Sequence, residues 1–460
     1  MIFNSFGFFA FLTFALAIYA CVPQKHRKFF IAIVSYYFYS FWSLKFCLLI
    51  FASTIGDYWF GIKIDESINQ KTRFRFLLGS LAMNLGILGF FKYYGFFAES
   101  LIDTLNWLGI ESGYKIWRVI LPVGVSFYTF QSMTYTINVY RKIFPARRNF
   151  IDFSAFVSFF PQLLAGPIER PEHIFPQLNK LESLKWKNTI AAIELFGWGL
   201  FKKIVIADNI ASIVDSVFDV KNTQAGSDFA FLGLYAFGIQ VFCDFSGYTD
   251  MARGLARLFG VQLVRNFNEP YSATSMQDFW NRWHISLTTW FRDYVFLPLC
   301  FNPWVRVPVL TSTFLVFLLS GLWHGAAWTF VLWGAYHGAL LVIEKRFAIR
   351  EYRGKNLGVR LLRTAFVFQL VSFSWIFFRS GNMGTLKHWF QIASSFHFTE
   401  NAQNGYLTFL FCALGLYLMS LWYKAENKSK LSQTAFAIIL YLSIVIFGNE
   451  LSREFIYFQF

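Results

Sequence analysis

Two histidines of this chain lie where an imidazole could accept a proton away from bulk water. The first, His324, lies in the apolar sequence LLSGLWHGAAWTFVLWG between Arg306 and Lys345. If both basic residues stay cytoplasmic, a rise of about 1.5 Å per helical residue places His324 between the bilayer middle and the outer face. Gly321 and Gly325 flank it and permit a helix break or a close backbone approach. The residues alone predict a general base or, equally, a histidine that hydrogen-bonds between helices.

The second, His284, lies in DFWNRWHISLTTWFRDYVFLPL. We expect one amphipathic, cytoplasmic helix over residues 273–300, on which Trp280, His284, Thr288 and Arg292 recur every four residues and share a face. This face offers aromatic stacking, a hydrogen-bonding ring and a guanidinium that can grip a phosphate, so it could bind coenzyme A or phosphopantetheine. The alternative is an interfacial helix with snorkelling Arg and belt Trp side chains.

Composition indicates what must position these residues. Hydrophobic residues make up 56% of the 460-residue chain and charged residues 15%, against about 25% charged in soluble domains. An ordinary soluble enzyme is thereby excluded, and an all-α polytopic membrane protein with about 10–12 spans is expected. The predicted apolar segments are 2–22 (a retained span rather than a cleaved signal), 29–42, 46–62, 76–96, 117–140, 190–217, 228–258, 307–324, 326–344, 361–378, 405–423 and 432–449.

The basic residues indicate orientation. The chain carries a net charge of +15, and 31 of its 41 Lys and Arg residues fall in alternate loops, which are expected to be cytoplasmic. Nucleic acid is therefore not an expected partner. Residues 151–178 are apolar but broken by Pro and Gly, which predicts a re-entrant segment.

The embedded acidic residues are expected to form ion pairs between helices rather than a proton relay. Asp244 and Asp250 lie six residues apart, and Lys202 with Lys203 offers counter-charge to Asp208. Five scattered cysteines predict neither a disulfide framework nor a zinc site, and no metal ligand set is expected. The chain has no GxSxG, Walker, GxGxxG or HExxH motif.

The chain resembles the membrane-bound O-acyltransferase superfamily, and more narrowly its alginate O-acetyltransferase membrane-subunit branch. The resemblance is carried by the two histidine motifs and by YYFYSFW, LGFFKYYGFF, LPVGVSFYTFQSMTYTINVYR, FFPQLLAGPIER, GLFKKIVIADN, FCDFSGYTDMARGLARLFG, NFNEPY and FIYFQF. It implies one membrane domain over 1–460 with a central funnel or tunnel. N-terminal spans would occupy 1–150, a catalytic region with re-entrant segments about 151–345, and C-terminal spans 346–460.

The resemblance also implies roles. His324 maps to the signature histidine and His284 to the second functional histidine. The side chains expected to bind substrate are Trp280, Arg292, Trp323, Trp328 and His337. The expected donor is acetyl-CoA or an acyl-carrier thioester, with no tightly bound cofactor. The acetyl group would cross a bacterial inner membrane to a polysaccharide, directly or through an extracytoplasmic SGNH-type acyltransferase partner.

The outward loops 97–116 and 379–404, with Trp107, Trp389 and Phe390, are the expected docking surface for that partner. Two alternatives stay open: a D-alanyl or lipid-directed O-acyltransferase of the same superfamily, and a transporter coupled through Asp57, Asp208 and Asp244.

Overall fold

A computed structural model describes residues 3–111, 113–181, 186–221, 225–302, 305–399, 402–425, 429–448 and 453–456, and all regular secondary structure within these ranges is helical. Residues 457–460 of the FIYFQF motif lie outside these ranges. The α-helices are α1 Phe6–Cys21, α2 Arg27–Ser40, α3 Leu44–Glu66, α4 Gln70–Leu88, α5 Tyr94–Trp107, α6 Val125–Tyr140, α7 Phe150–Ser158, α8 Phe160–Leu163, α9 Pro171–Leu178, α10 Trp186–Leu200, α11 Asp208–Phe218, α12 Ser227–Leu258, α13 Met276–Arg282, α14 Ile285–Phe291, α15 Leu297–Phe301, α16 Val309–His324, α17 Trp328–Arg346, α18 Leu357–Ser380, α19 Met383–Ala393, α20 Gln403–Lys424 and α21 Lys430–Phe447.

Five of the described helical segments are long and apolar enough to cross a membrane: Leu44–Glu66, Gln70–Trp107, Ser227–Leu258, Leu357–Ser380 and Gln403–Lys424. The predicted polytopic, all-α class is confirmed. Three predicted segments, 2–22, 117–140 and 307–324, form helices shorter than expected, and the others are helical over at least the expected length. The segment predicted over 117–140, for example, is helical only from Val125, because Pro122 and Gly124, with φ +79°, precede the helix.

Within the described ranges, three π-helical turns interrupt or extend helices. Gly89–Tyr93 joins α4 to α5, Phe201–Ala207 joins α10 to α11, and Arg292–Phe296 joins α14 to α15. Such turns are rare and are found disproportionately at functional sites.

The chain divides into two compact units. The first comprises Met1–Ala192 and Ala252–Val264. Within it the Asp57 carboxylate, on α3, is fully buried and accepts hydrogen bonds from Ser80 Oγ at 2.7 Å and Asn84 Nδ2 at 2.9 Å, both on α4. Hydrogen bonds of this kind are what a buried carboxylate requires.

The Pro-broken stretch 151–178 forms three short helices, α7 to α9, in the first unit. Ser35 Oγ accepts a hydrogen bond from the Phe160 N–H at 3.0 Å, just after the break between α7 and α8. Glu169, in the loop before α9, is fully buried and accepts hydrogen bonds from His173 Nδ1 and the Val264 N–H. The expected helix breaks are confirmed, and the re-entrant path of this stretch stays a prediction.

The second unit comprises Ile193–Met251 and Arg265–Phe460. Here the predicted ion pairing of embedded acids is confirmed. Lys202 Nζ lies 2.7 Å from Asp250 Oδ2, and Lys203 Nζ lies 2.8 Å from Asp208 Oδ1 and 2.7 Å from Asp244 Oδ1.

The predicted docking surface needs a correction. Trp107 is 84% exposed and Phe390 is exposed, but Trp389 is buried because it lies on the inner face of α19, where its ring packs edge-on against Phe231. The two stretches are also partly helical rather than loops, since α5 extends to Trp107 and α19 covers Met383–Ala393.

Candidate active site

The hairpin of α16 and α17 positions His324. This histidine is the last residue of α16, and Gly325 leaves the helix in an extended conformation three residues before α17 begins at Trp328. A Cβ added to Gly321 would lie 2.2 Å from the Phe330 carbonyl oxygen, and one added to Gly334 would lie 2.3 Å from that of Phe317. Glycine is therefore required on both helices for their backbones to meet this closely, as the sequence predicted for Gly321.

The expected single helix over residues 273–300 is wrong. The chain leaves α13 at Trp283 and passes through His284 in the left-handed conformation, with φ +44° and ψ +52°, before α14 begins. Trp280 and His284 therefore share no helical face with Thr288 and Arg292. A left-handed residue other than glycine costs about 1 to 3 kcal/mol and is often found at functional sites.

Asn266 explains why the break is tolerated. Its backbone carbonyl accepts the Ile285 N–H at 2.9 Å, and its side-chain Oδ1 accepts the Ser286 N–H at 3.1 Å. Two donors at the start of α14 are thus satisfied by one fully buried asparagine. Sequence reasoning assigned Asn266 no role. Its only signal was its place in the NFNEPY motif.

His284 and His324 meet in an aromatic group. Their ring centroids lie 6.1 Å apart, and the side chains are 0% and 2% exposed. Trp323 lies 6.0 Å from His284 and 5.0 Å from His324, and Phe245 meets His284 edge-on at 4.6 Å. The two predicted catalytic residues are therefore brought together, in surroundings that strengthen polar interactions.

Burial affects the charge of His284, which lies between short helices rather than in an apolar span. Removal from water lowers the pKa of its imidazole to about 3, because burial penalises the charged form. At neutral pH this ring is neutral, with one nitrogen able to donate a hydrogen bond and the other able to accept one.

Trp280 and His337 lie farther from His284 and His324, on the other side of the Trp333 ring. Trp333 lies between the groups, with its ring 5.0 Å from His324, 4.8 Å from His337 and 5.6 Å from Trp280. His337 is fully buried, and its Nε2 lies 2.9 Å from Ser374 Oγ on α18. These contacts place His337 in the protein packing behind Trp333. A direct role of His337 in binding substrate stays a prediction.

A cavity of about 360 Å³ is lined by Trp280, Thr288, Arg292 and Lys345, among others. Its volume lies within the range typical of ligand sites. A neighbouring cavity of about 620 Å³ shares Gln277, Asn281, Leu341 and Lys345 with it and adds Arg350 and Arg353. Trp280 and Arg292, although on different helices, thus line one space, as their predicted roles require.

Arg292 and Trp328 are more accessible than the rest of the predicted set. The Arg292 side chain is 59% exposed, and its Nε lies 2.7 Å from Asp293 Oδ1. Trp328 exposes 54% of its surface, whereas Trp323 exposes 3%. The substrate-binding role assigned to Trp328 stays a prediction.

Comparison with known proteins shows which family the chain belongs to. Residues 31–384 match the model of the MBOAT, membrane-bound O-acyltransferase family. This matched range includes both His284 and His324. A probable alginate O-acetylase of Pseudomonas syringae pv. tomato is 40% identical over 385 residues, covering 83% of this chain and 73% of that protein.

Two further relatives modify other polymers. A peptidoglycan O-acetyltransferase of Helicobacter pylori is 34% identical over 80% of this chain and 74% of its own length. A teichoic acid D-alanyltransferase of Bacillus subtilis is 29% identical over 57% of this chain and 69% of its own length. The chain is thus a multi-pass membrane enzyme and belongs to the membrane-bound O-acyltransferase family.

Proposed function

We propose that this enzyme takes an acetyl group from a cytoplasmic thioester and passes it across a bacterial inner membrane for O-acetylation of an extracytoplasmic polysaccharide. The observation that carries the proposal is the pair of buried imidazoles 6.1 Å apart. The similarity to O-acetylases acting on alginate and peptidoglycan supports acetyl as the group and a polysaccharide as the class of acceptor.

His324 is the general base in this proposal. Its imidazole takes the proton of the attacking hydroxyl while the hydroxyl oxygen bonds to the acetyl carbon. The carbon–sulfur bond then breaks, and the proton passes to the departing thiolate. A neutral His284 can donate a hydrogen bond to the carbonyl oxygen as negative charge develops there. Trp323 and the neighbouring rings keep water away from the thioester.

The donor enters through the cavity lined by Trp280, Arg292 and Lys345. The reactive thioester arm needs a narrow, mainly apolar space, and its phosphates need cations, which Arg292 and Lys345 supply at the same cavity. Acetyl-CoA is the proposed donor, and an acylated carrier protein is the other source of the same thioester chemistry.

The acceptor is proposed to receive its acetyl group through a separate extracytoplasmic acyltransferase of the SGNH type. The outward stretches 97–116 and 379–404 are short, and Trp107 and Phe390 offer exposed aromatic surface for such a partner.

Reconstitution of the purified chain in liposomes tests the proposal. Acetyl-CoA is enclosed inside, and alginate or peptidoglycan fragments are supplied outside, with and without the partner acyltransferase. Acetylated polymer that depends on the partner and on His324 supports the full proposal. Acetylation without any partner contradicts the relay, and transfer only from a D-alanylated carrier protein contradicts acetyl as the group.

A further inference from the structure

The residues 453–456 pack into the second unit beside the histidine pair. The Ile456 N–H donates to Asp244 Oδ2 at 2.8 Å, and Phe455 and Ile456 are 3% and 7% exposed. Arg453 pairs with Asp215, which also pairs with Arg379 at 2.9 Å. This stretch, the 453–456 segment, therefore passes from a half-exposed ion pair to a buried carboxylate within four residues.

Asp244 is held in place by charge. Lys203 Nζ lies 2.7 Å from Asp244 Oδ1 and 2.8 Å from Asp208 Oδ1, and all three residues are buried. One carboxylate oxygen thus faces the ammonium group while the other faces the Ile456 N–H. A hydrogen bond to a charged carboxylate is about twice as strong as a neutral one, so the Asp244 side chain can hold the Ile456 backbone in place.

The 453–456 segment is linked to His284 through the Phe245 ring. Phe455 stacks on Tyr248 with centroids 4.8 Å apart and lies 5.7 Å from Phe245. Phe245 follows Asp244 in α12 and meets the His284 ring edge-on at 4.6 Å. The order of contact is therefore Asp244, Ile456, Phe455, Phe245 and His284.

We propose that the Lys203, Asp208 and Asp244 cluster positions the 453–456 segment, and that Phe455 and Phe245 thereby fix the orientation of the His284 ring for acyl transfer. Asp244 and Phe455 are positioning residues, since neither touches the reacting atoms. His284 needs such support because its backbone is in an unfavourable left-handed conformation. A displacement of about 1 Å in a reacting group can cost about 100-fold in rate.

Thiol labelling tests the first part without relying on the proposed acetyl transfer. In a variant lacking the five native cysteines, Ile456→Cys should react slowly with a maleimide. Adding Asp244→Leu should raise the labelling rate about tenfold or more, because a hydrogen bond to a charged group is lost. The matched control is Asp250→Leu, on the same helix, which removes the carboxylate that pairs with Lys202. Equal labelling rates with Asp244→Leu and Asp250→Leu would overturn the proposal.

Kinetics test the second part, with acetyl-CoA as donor. Phe455→Ala leaves the buried charges intact and should lower kcat by about 10- to 100-fold with little change in the KM for acetyl-CoA. The triple variant Lys203→Met, Asp208→Asn, Asp244→Asn removes the charges but keeps an acceptor for the Ile456 N–H. It should lower kcat less than Asp244→Leu does, because a weaker, neutral hydrogen bond remains. A wild-type kcat in Phe455→Ala, or an inactive but normally inserted triple variant, would contradict positioning. The second result would instead indicate proton transfer through the cluster. If the wild-type protein itself shows no acetyl transfer, the proposed function fails while the labelling result stands.

Discussion

The α16–α17 hairpin and the α13–α14 break each supply one histidine to the same aromatic group, but they reach that geometry differently. In the hairpin, Gly321 and Gly334 let two backbones meet, so residues of the same two helices determine the position of His324. At the break, His284 adopts a left-handed conformation that its own sequence does not favour, and Asn266, from another segment, holds the chain there. One histidine is placed by local sequence and the other by tertiary contacts.

The largest expected effect comes from removing the His324 imidazole, which separates its chemical role from its structural role in the hairpin. His324→Ala should lower acyl transfer by about 100- to 10,000-fold, as loss of a general base does. The amount of inserted protein should stay near wild-type, because Gly321 and Gly334 rather than the imidazole set the helix crossing. Transfer assays normalised to inserted protein measure this, with exposed His397→Ala as the control. Unchanged transfer in His324→Ala would remove His324 from the mechanism.

A second change tests the close approach of the two helices in the hairpin. In Gly321→Ala the new Cβ would lie 2.2 Å from the Phe330 carbonyl oxygen, so the helices must separate, at a cost of about 1 to 3 kcal/mol. Thermal unfolding in detergent should show a lower midpoint, and transfer should fall because His324 moves. The control is Gly86→Ala in α4, where the added Cβ meets no described atom within 4 Å. Equal midpoints for the two variants would mean that the hairpin can relax.

A third change tests the hydrogen bonds of Asn266 that hold the chain at the break between α13 and α14. Asn266→Ala removes the acceptor of the buried Ser286 N–H, and a lost hydrogen bond of this kind costs about 1 kcal/mol. Asn266→Asp keeps an oxygen in that place and should be affected less. If the orientation of His284 depends on tertiary contacts, Asn266→Ala should lower the rate of transfer strongly while lowering the unfolding midpoint only slightly. Parallel losses in both quantities would argue for a purely structural role.

The smallest expected effect is a pH dependence at the break. The pKa of His284 is lowered to about 3 in the folded protein, whereas an unfolded histidine has a pKa of about 6.5. Between these values the unfolded state binds more protons, so stability falls as the pH falls below about 6.5. From pH 7 to pH 6 this group should contribute less than about 1 kcal/mol of that loss. Denaturation of wild-type protein and His284→Phe at both pH values measures it, and an identical pH response in the two would contradict a buried neutral imidazole.

Sequence reasoning succeeded where periodicity and small residues decide the structure. The Gly residues around His324, the Pro residues of 151–178 and the Lys and Asp residues of the embedded clusters each act through local geometry or simple charge. It failed where another segment overrides local preference. The sequence around His284 contains no Gly or Pro to signal a break, and the four-residue spacing of polar and aromatic side chains favours a continuous helix.

The burial of Trp389 was missed for a related reason. A tryptophan in a short, weakly charged stretch is compatible with either face of a helix, and only the packing of α19 shows that Phe390 points outward while Trp389 points inward. Asn266 illustrates the same limit, because an asparagine in an irregular segment has no periodicity from which a role can be predicted.

The glycine contact between α16 and α17 also separates two surfaces of the hairpin. The crossing is fixed by backbone atoms on the inner side, while Leu315, Leu319 and Leu332 are exposed on the outer side. Lipid-facing side chains can therefore change to suit bilayers of different thickness or fluidity without moving His324. The enzyme can adapt to a new membrane at these positions, whereas a larger residue at Gly321 or Gly334 would force the two backbones apart.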